Sequence, residues 1–220
     1  MSETMLAKRF EQNPQLQESD TVAYTAAVLG KFAMQFSRVE RSPRYHDSRR
    51  ESDVEHSFML ALVAPELAAL LELPLDRGLI SQFSVAHDLI EVKTKDIRTL
   101  LLNEDQLHRK EELEKEALAQ LLRELPPHTA HILARYEAQK EPEARFVRVV
   151  DKLLPIIVDI LGEGMRVLRD DYDISSTEAL HDAHEAVNER LDKQYGEEFP
   201  QIIKARRDLS RIAEQLIQFN

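Results

Sequence analysis

The stretch RGLISQFSVAHDLIEV, residues 77–92, combines a helical apolar pattern with polar residues of the kind that bind metals. Its apolar residues recur at helical spacing and predict a helix with one strongly apolar side. His87 and Asp88 lie inside that apolar run, and Glu91 follows within one turn, so all three side chains can share a face. Because Asp is seldom buried unpaired, the pair predicts either a hydrogen-bonded structural pair or two metal ligands.

The rest of the chain predicts an all-α fold. Ala, Leu, Glu and Arg dominate, Gly occurs only 5 times, and no Asn-Gly or Asp-Gly hairpin signal is present. Pro65 is expected to kink or break its helix. The Arg-rich segment 40–52 is expected to be a loop. Beyond 77–92, helices are predicted at about 20–39, 52–73, 105–124 and 127–140, with another that opens at Pro142.

The 220 residues suit roughly one domain, which we divide into three parts. Residues 1–19 are expected to be a polar N-terminal tail, and residues 20–170 the main helical domain. Residues 171–220 are expected to be a C-terminal helical extension packed on that domain. Two long amphipathic helices, split near Gly196 and Pro200, are predicted in the extension.

Composition narrows the partners of the chain. It has 29 basic and 40 acidic side chains, a net charge of −11, so we expect neither nucleic-acid polymer nor anionic membrane to bind. The N-terminus lacks a secretory apolar run and no apolar stretch is long enough to span a bilayer, which predicts a cytoplasmic protein. Because the chain has no Cys, any metal site must use His, Asp and Glu.

Two further positions support the interpretation of His87 and Asp88 as metal ligands. His56 lies at the start of another apolar helix, and Asp151 lies in the apolar run FVRVVDKLLPIIVDI. Each alone is more often a satisfied core polar group than a ligand. Together, His56, His87, Asp88 and Asp151 make a nitrogen and oxygen set suited to Mn²⁺, Co²⁺, Fe²⁺ or Zn²⁺.

Two other histidine pairs have the i, i+3 spacing that suits a metal. They are His128 with His131 and His181 with His184. Neither pair has carboxylates in an apolar context beside it, so we interpret all four as exposed helix histidines.

The order His56, His87–Asp88, Asp151 resembles that of the HD-domain superfamily of metal-dependent phosphohydrolases. The flanking residues resemble the HD-domain 5'-deoxynucleotidases in particular. ESDVEHS at 51–57 is similar to their ExxxEHS signature, and HDLIEVKTKDI at 87–97 to their HDxxEVxTxDI. RYEAQKEPEARFVRVVDKL at 135–153 resembles a third element of the family. The resemblance covers about residues 20 to 170 and implies a helical bundle of the HD type.

The resemblance also implies a role for each matching residue. The four ligands would hold one divalent ion (Mn, Co, Fe, Zn or Mg) that binds a water and the substrate phosphate. Glu91 matches a general acid or base, and Asp96 a second catalytic acid. Glu51 and Glu55 match positions behind the ligands, where Glu55 could orient a ligand His.

Other matches concern the substrate. Arg41 corresponds to a phosphate-binding Arg of the family, and Lys152, directly after the last ligand, is a second candidate for phosphate. Ser42 replaces a family Trp that helps to exclude a ribose 2'-hydroxyl, and this chain has no Trp. The sugar preference therefore stays open, and Ser42 becomes a candidate contact of the sugar.

The implied activity is hydrolysis of a nucleoside 5'-monophosphate to nucleoside and phosphate. A triphosphohydrolase of the same superfamily is the close alternative, and a non-catalytic nucleotide-binding HD module is a third. Few basic residues stand out beyond the 41–50 segment and Lys93, Lys95 and Arg98, which favours the shorter substrate. Relatives are often homodimers, and the final helices suggest a subunit interface or a cap.

Overall fold

A computed structural model describes residues 12–13, 15, 21–95 and 104–217 of the chain. Asp96 and Arg98, which the sequence singled out, lie outside these residues. The elements in chain order are α1 (Thr21–Phe36), β1 (Glu40–Arg44), β2 (Arg50–Ser52), α2 (Asp53–Leu70), α3 (Arg77–Ala86), α4 (Glu91–Thr94), α5 (Glu104–Glu124), α6 (Pro127–Ala138), α7 (Pro142–Asp151), α8 (Leu154–Leu161), α9 (Gly164–Tyr172), α10 (Thr177–Tyr195) and α11 (Pro200–Leu216).

The helices surround one large apolar core, and the predicted all-α class is confirmed. Helices α2, α3 and α7 meet at its centre, and the two long C-terminal helices close it. Its buried members from both parts of the chain include Leu60, Phe83, Phe146, Val150, Leu191, Phe199 and Ile202. Burial of such side chains is worth about 1.5–3 kcal/mol each, so α10 and α11 contribute to the stability of the centre. The division of the chain at about residue 170 stays a prediction.

The prediction of a loop over 40–52 was wrong, because Glu40–Arg44 and Arg50–Ser52 pair as a short antiparallel hairpin. Tyr45 accepts a hydrogen bond from the Ser48 amide (3.0 Å) and donates one to the Arg49 carbonyl (2.9 Å). Ser48 adopts a left-handed φ of 63° in the turn. Hairpin signals rely on Gly, Asn or Asp where φ is positive, and Ser48 gives no such signal.

The predicted helix over 77–92 also ends early. Helix α3 stops at Ala86, and hydrogen bonds from residue i+3 to residue i replace the α-helical pattern. The Glu91 amide donates to Asp88 (2.9 Å) and the Leu89 amide to Ala86 (3.2 Å). His87 and Asp88 therefore lie in a tight turn between two helices rather than within one.

Helix α2 runs without a break through Pro65, so the expected break was wrong. Proline removes one backbone donor from the helix, but Leu60, Ala64 and Ala68 on one side of α2 are fully buried. The start of the helix is fixed by a capping box between Ser52 and Glu55. This cap holds the first turn of α2, and with it His56, against β2.

Among the helices in the described ranges, none is long and apolar enough to cross a membrane.

Candidate metal centre and its cavity

His56 lies at the first turn of α2 and its side chain is fully buried. Its Nε2 is 2.7 Å from Asp151 Oδ1 at the end of α7, and its Nδ1 is 3.6 Å from Glu51 Oε2 on β2. Burial and the charge of Arg41 lower the pKa of His56, but Asp151 and Glu51 outweigh them and raise it to about 9. Without a bound metal, the ring therefore carries a positive charge in addition to those of Arg41 and Lys152.

Glu51, rather than Glu55, faces the second ring nitrogen of His56. Glu55 instead accepts hydrogen bonds from the Ser52 amide and hydroxyl and pairs with Arg49 at 2.9 Å. The expectation that Glu55 orients the histidine was wrong because the capping box engages its carboxylate.

His87 offers a free nitrogen to the same cluster. Its Nδ1 donates to the Ser84 carbonyl (2.8 Å), since a carbonyl can only accept, so Nε2 is the nitrogen that carries the lone pair in the neutral form of the ring, the form that binds a metal. That Nε2 is buried without a hydrogen bond among the described residues, 2.9 Å from Asp88 Oδ2 and 3.8 Å from Asp151 Oδ1. A lone pair aimed at two carboxylates needs a cation between them, and this donor set fits a divalent metal.

Two separate groups of ligand atoms lie side by side here, and the 2.9 Å contact between His87 Nε2 and Asp88 Oδ2 connects them. One atom each from His56, His87 and Asp151 lies within 4.8 Å of the others, as does one each from Asp53, Asp88 and Glu91. Among the described residues these are the groups that could hold a metal ion. The structure thus brings together all four residues that the sequence proposed as ligands.

Arg41 on β1 connects the acidic groups. Its Nη1 is 2.7 Å from Asp88 Oδ2 and 3.1 Å from Asp53 Oδ1, and its Nε is 3.5 Å from Glu51 Oε2. Burial opposes ionisation of Asp88, but His87 and Arg41 together hold the pKa of Asp88 well below its usual range. Burial and the charge of Asp88 raise the pKa of Asp53 to about 7.

The remaining candidates border the same cluster. Glu91 is buried at the start of α4. Lys152 Nζ lies 2.7 Å from Asp151 Oδ2, and Ser42 Oγ is buried without a hydrogen-bond partner in the described part of the chain. Asp151 has a pKa well below its usual range because Lys152 and His56 offset the effect of its burial.

These side chains open onto a cavity of about 480 Å³, a size suited to a small organic ligand. Seven sequence candidates line it: Arg41, Ser42, His87, Asp88, Glu91, Asp151 and Lys152. Four basic residues that sequence reasoning missed line it too: Lys110, Arg148, Arg190 and Arg206. One signal was available for Arg206, because it shares the buried side of α11 with Ile202, Ile203 and Ser210.

Three of the four histidines in the other two pairs are exposed as predicted, whereas for His184 the prediction was wrong. His128 and His131 are both exposed on α6. His181 is exposed and His184 is buried, and they lie 3.2 Å and 3.6 Å from the two carboxylate oxygens of Glu214. A single carboxylate beside this pair supplies fewer ligands than the cluster around His56.

Comparisons with known proteins agree with this architecture. Residues 34–193 match a family model described as HD domain. A similar solved structure is a predicted metal-dependent phosphohydrolase from Magnetospirillum magnetotacticum MS-1, with a TM-score of 0.64 and 23% sequence identity. The match covers 89% of this chain and 95% of that chain, and at this identity it shows a shared fold. A search of curated proteins gives no match.

Proposed function

This chain belongs to the HD-domain family, and we propose that it is a metal-dependent phosphohydrolase that cleaves nucleoside 5'-monophosphates. Family membership confirms the resemblance to that superfamily; the nucleotide substrate is our proposal. One observation supports the activity above all others. The Ser84 carbonyl orients the ring of His87 so that Nε2 faces the carboxylates of Asp88 and Asp151, next to the buried His56.

We assign the metal to His56, His87, Asp88 and Asp151. A divalent ion bound there supplies Lewis acidity, which lowers the pKa of water and polarises a phosphoryl group. The chain's own contribution is orientation. Glu51 faces Nδ1 of His56 and the Ser84 carbonyl accepts from Nδ1 of His87, so both rings present Nε2 to the cluster.

Glu91 is the proposed proton carrier. Its buried carboxylate borders Asp53 and Asp88, and it lines the cavity where the phosphate would lie. In the proposed reaction a water oxygen forms a bond to phosphorus as the bond from phosphorus to the 5'-oxygen breaks. Glu91 accepts the proton from the water and returns it to the leaving 5'-oxygen. Asp96 remains a predicted second acid, and its test is the substitution Asp96→Asn.

Arg41, Lys152 and Ser42 are the proposed substrate contacts. The guanidinium of Arg41 lines the cavity beside Asp88 and presents the fork geometry that suits a phosphate. Lys152 adds a positive charge next to Asp151. The buried, unpartnered Oγ of Ser42 offers a sugar hydroxyl a hydrogen bond, within the described part of the site.

Phosphate release from a panel of ribo- and deoxyribonucleotides with Mn²⁺, Co²⁺ or Mg²⁺ tests the proposal. We expect orthophosphate from monophosphates with the wild type and none above background with Glu91→Ala. Glu112→Ala, which removes an exposed carboxylate on α5, is the matched control and should keep full activity. If metal is bound but no nucleotide is cleaved, the non-catalytic nucleotide-binding module becomes the better account.

A nucleoside triphosphate triphosphohydrolase is the second candidate. The basic residues Lys110, Arg148, Arg190 and Arg206 in the cavity lining favour it, because they extend positive charge beyond the metal centre. The product decides between the two, since that enzyme would release triphosphate instead of orthophosphate.

We also propose a homodimer. The apolar faces of α10 and α11 pack largely on the core of their own chain, although Ile212 and Leu216 on α11 remain exposed. Val54, Phe58 and Leu62, spaced four residues apart on α2, are exposed and form an apolar stripe. Light scattering at micromolar concentration should give twice 25.4 kDa, and a monomeric mass would refute the dimer.

A further inference from the structure

Arg206 on α11 is a buried cation whose described partners are all neutral. Its residue is 4% exposed, and its side chain lines the cavity. Its Nε donates to the Lys152 carbonyl (3.1 Å), and its Nη1 donates to the His184 carbonyl (3.3 Å) and to the Asn188 side-chain oxygen. Among the described residues no carboxylate forms an ion pair with it. Backbone and amide dipoles therefore solvate its charge, and the nearby Glu185 attracts it without forming an ion pair.

A second cation adds to this charge. Arg190 on α10 also lines the cavity, and it too has no ion pair among the described residues. Burial and the charge of Arg190 lower the pKa of Arg206 to about 10 against the opposing effect of Glu185, so Arg206 remains cationic at neutral pH. The next residue on α11 differs, since Arg207 lies 3.1 Å from Asp192 and 3.7 Å from Glu185.

Two like charges at a cavity wall, one of them buried, are unfavourable unless an anion joins them. A guanidinium presents five N–H donors, and the described contacts of Arg206 use only Nε and Nη1. Donors therefore remain for a ligand. A phosphate or a carboxylate is the group that a guanidinium binds best.

We propose that Arg206 and Arg190 form an anion-binding subsite for a phosphate or carboxylate group, in addition to the phosphate at the metal centre. Arg206 bonds to the carbonyl of Lys152, the residue directly after Asp151, so the subsite borders the metal centre. The anion is either a second charged group of the substrate or a separate ion. This subsite does not depend on the chain being a nucleotidase.

Calorimetric titration of the metal-free protein with inorganic phosphate, in the presence of a chelator, tests the subsite directly. We expect the wild type to bind phosphate, and Arg206→Gln and Arg190→Gln each to weaken binding about tenfold, the value of one charge-assisted hydrogen bond. Arg207→Gln is the matched control, since it removes the same charge from α11 while its side chain lies outside the cavity lining. It should bind phosphate like the wild type.

Wild-type binding in both Arg206→Gln and Arg190→Gln, or no phosphate binding by the wild type, would overturn the subsite. Arg190 is exposed, so its variant keeps the test valid even if Arg206→Gln unfolds. Because the titration involves neither metal nor turnover, its failure is distinct from a failure to hydrolyse nucleotides.

Kinetics with Mn²⁺ then identify the source of the anion. A KM that Arg190→Gln raises for a nucleoside 5'-triphosphate but not for the monophosphate assigns the anion to the substrate. Inhibition or activation of monophosphate turnover by free phosphate, lost in Arg190→Gln, assigns it to a separate ion. If Arg190→Gln alters neither the KM values nor the response to phosphate, the subsite has no part in the site's chemistry and the proposal fails.

Discussion

His56 and His184 are both buried imidazoles near a glutamate, yet their surroundings move their pKa values in opposite directions. Burial and Arg41 act against protonation of His56, but Asp151 and Glu51 raise its pKa to about 9. Burial and Arg206 lower the pKa of His184 to about 4, and Glu214 compensates only in part. One histidine lies among acids that demand a cation, and the other lies beside a buried cation.

The contrast divides the cavity into two parts. Near His56 and His87 the excess of carboxylates favours a metal ion, whereas near Arg206 and Arg190 the excess of guanidinium groups favours an anion. A phosphate ester that binds between them would satisfy both. The chain as a whole carries −11 charges, so its net charge alone hides this local positive region.

Replacing Glu91 tests the acidic part most strongly. Glu91→Gln keeps the shape of the side chain but removes the proton acceptor, so kcat should fall about 10²- to 10⁴-fold with metal content unchanged. Glu214→Gln, made beside His184, is the control and should leave kcat intact. Steady-state phosphate release and metal analysis of the same preparations measure both. Equal kcat values for Glu91→Gln and the wild type would remove Glu91 from the reaction.

The pH dependence of metal affinity tests the unusual protonation of His56. A metal must displace the proton that the ring holds below pH 9, so affinity should rise up to about tenfold per pH unit from pH 7 to 9. Titration of the metal-free protein with Mn²⁺ at several pH values measures this slope. His184→Asn should show the same slope, and an affinity that is flat over that range would contradict a protonated His56.

The loss of stability in acid tests the lowered pKa of His184. In the folded protein the pKa of His184, about 4, lies below its unfolded value of about 6.5, so its contribution is present above pH 6.5 and lost as pH falls towards 4. His184→Asn should therefore lose about 1–2 kcal/mol less stability than the wild type between pH 7 and 5. Urea unfolding of the metal-free proteins measures the difference. The exposed His181→Asn is the control, and identical acid sensitivity in all three would refute the assignment.

The grouping of residues at the candidate metal centre was largely predictable from the sequence. His56, His87, Asp88 and Asp151 are polar residues in or beside apolar runs, and burial leaves such residues few alternatives to mutual contact. Local backbone detail was less predictable. The apolar pattern continues past Ala86, so periodicity alone could not show that the helix ends there and that a tight turn holds the His-Asp pair.

The proposed anion-binding subsite could not be predicted from the sequence, for a different reason. Arg190 and Arg206 lie on separate helices, 39 and 55 residues after Asp151. Although Arg206 falls on the apolar side of its helix, nothing in their spacing indicates that the two arginines line one cavity. Only the packing of α10 and α11 on α7 brings them to the cavity that Asp151 lines. Both arginines fall in the predicted C-terminal extension, outside the part of the chain that carries the candidate metal ligands.

Metal content after gel filtration tests the central claim most directly. The wild type, loaded with Mn²⁺, should retain about one ion per chain, because His56, His87 and Asp151 offer ligand atoms within 4.8 Å of one another and Asp88 Oδ2 lies 2.9 Å from His87 Nε2. His87→Ala and Asp88→Ala should each retain almost none, while His184→Ala, which removes the histidine beside Arg206, should retain as much as the wild type. Full occupancy in both His87→Ala and Asp88→Ala would contradict the assignment of the metal centre.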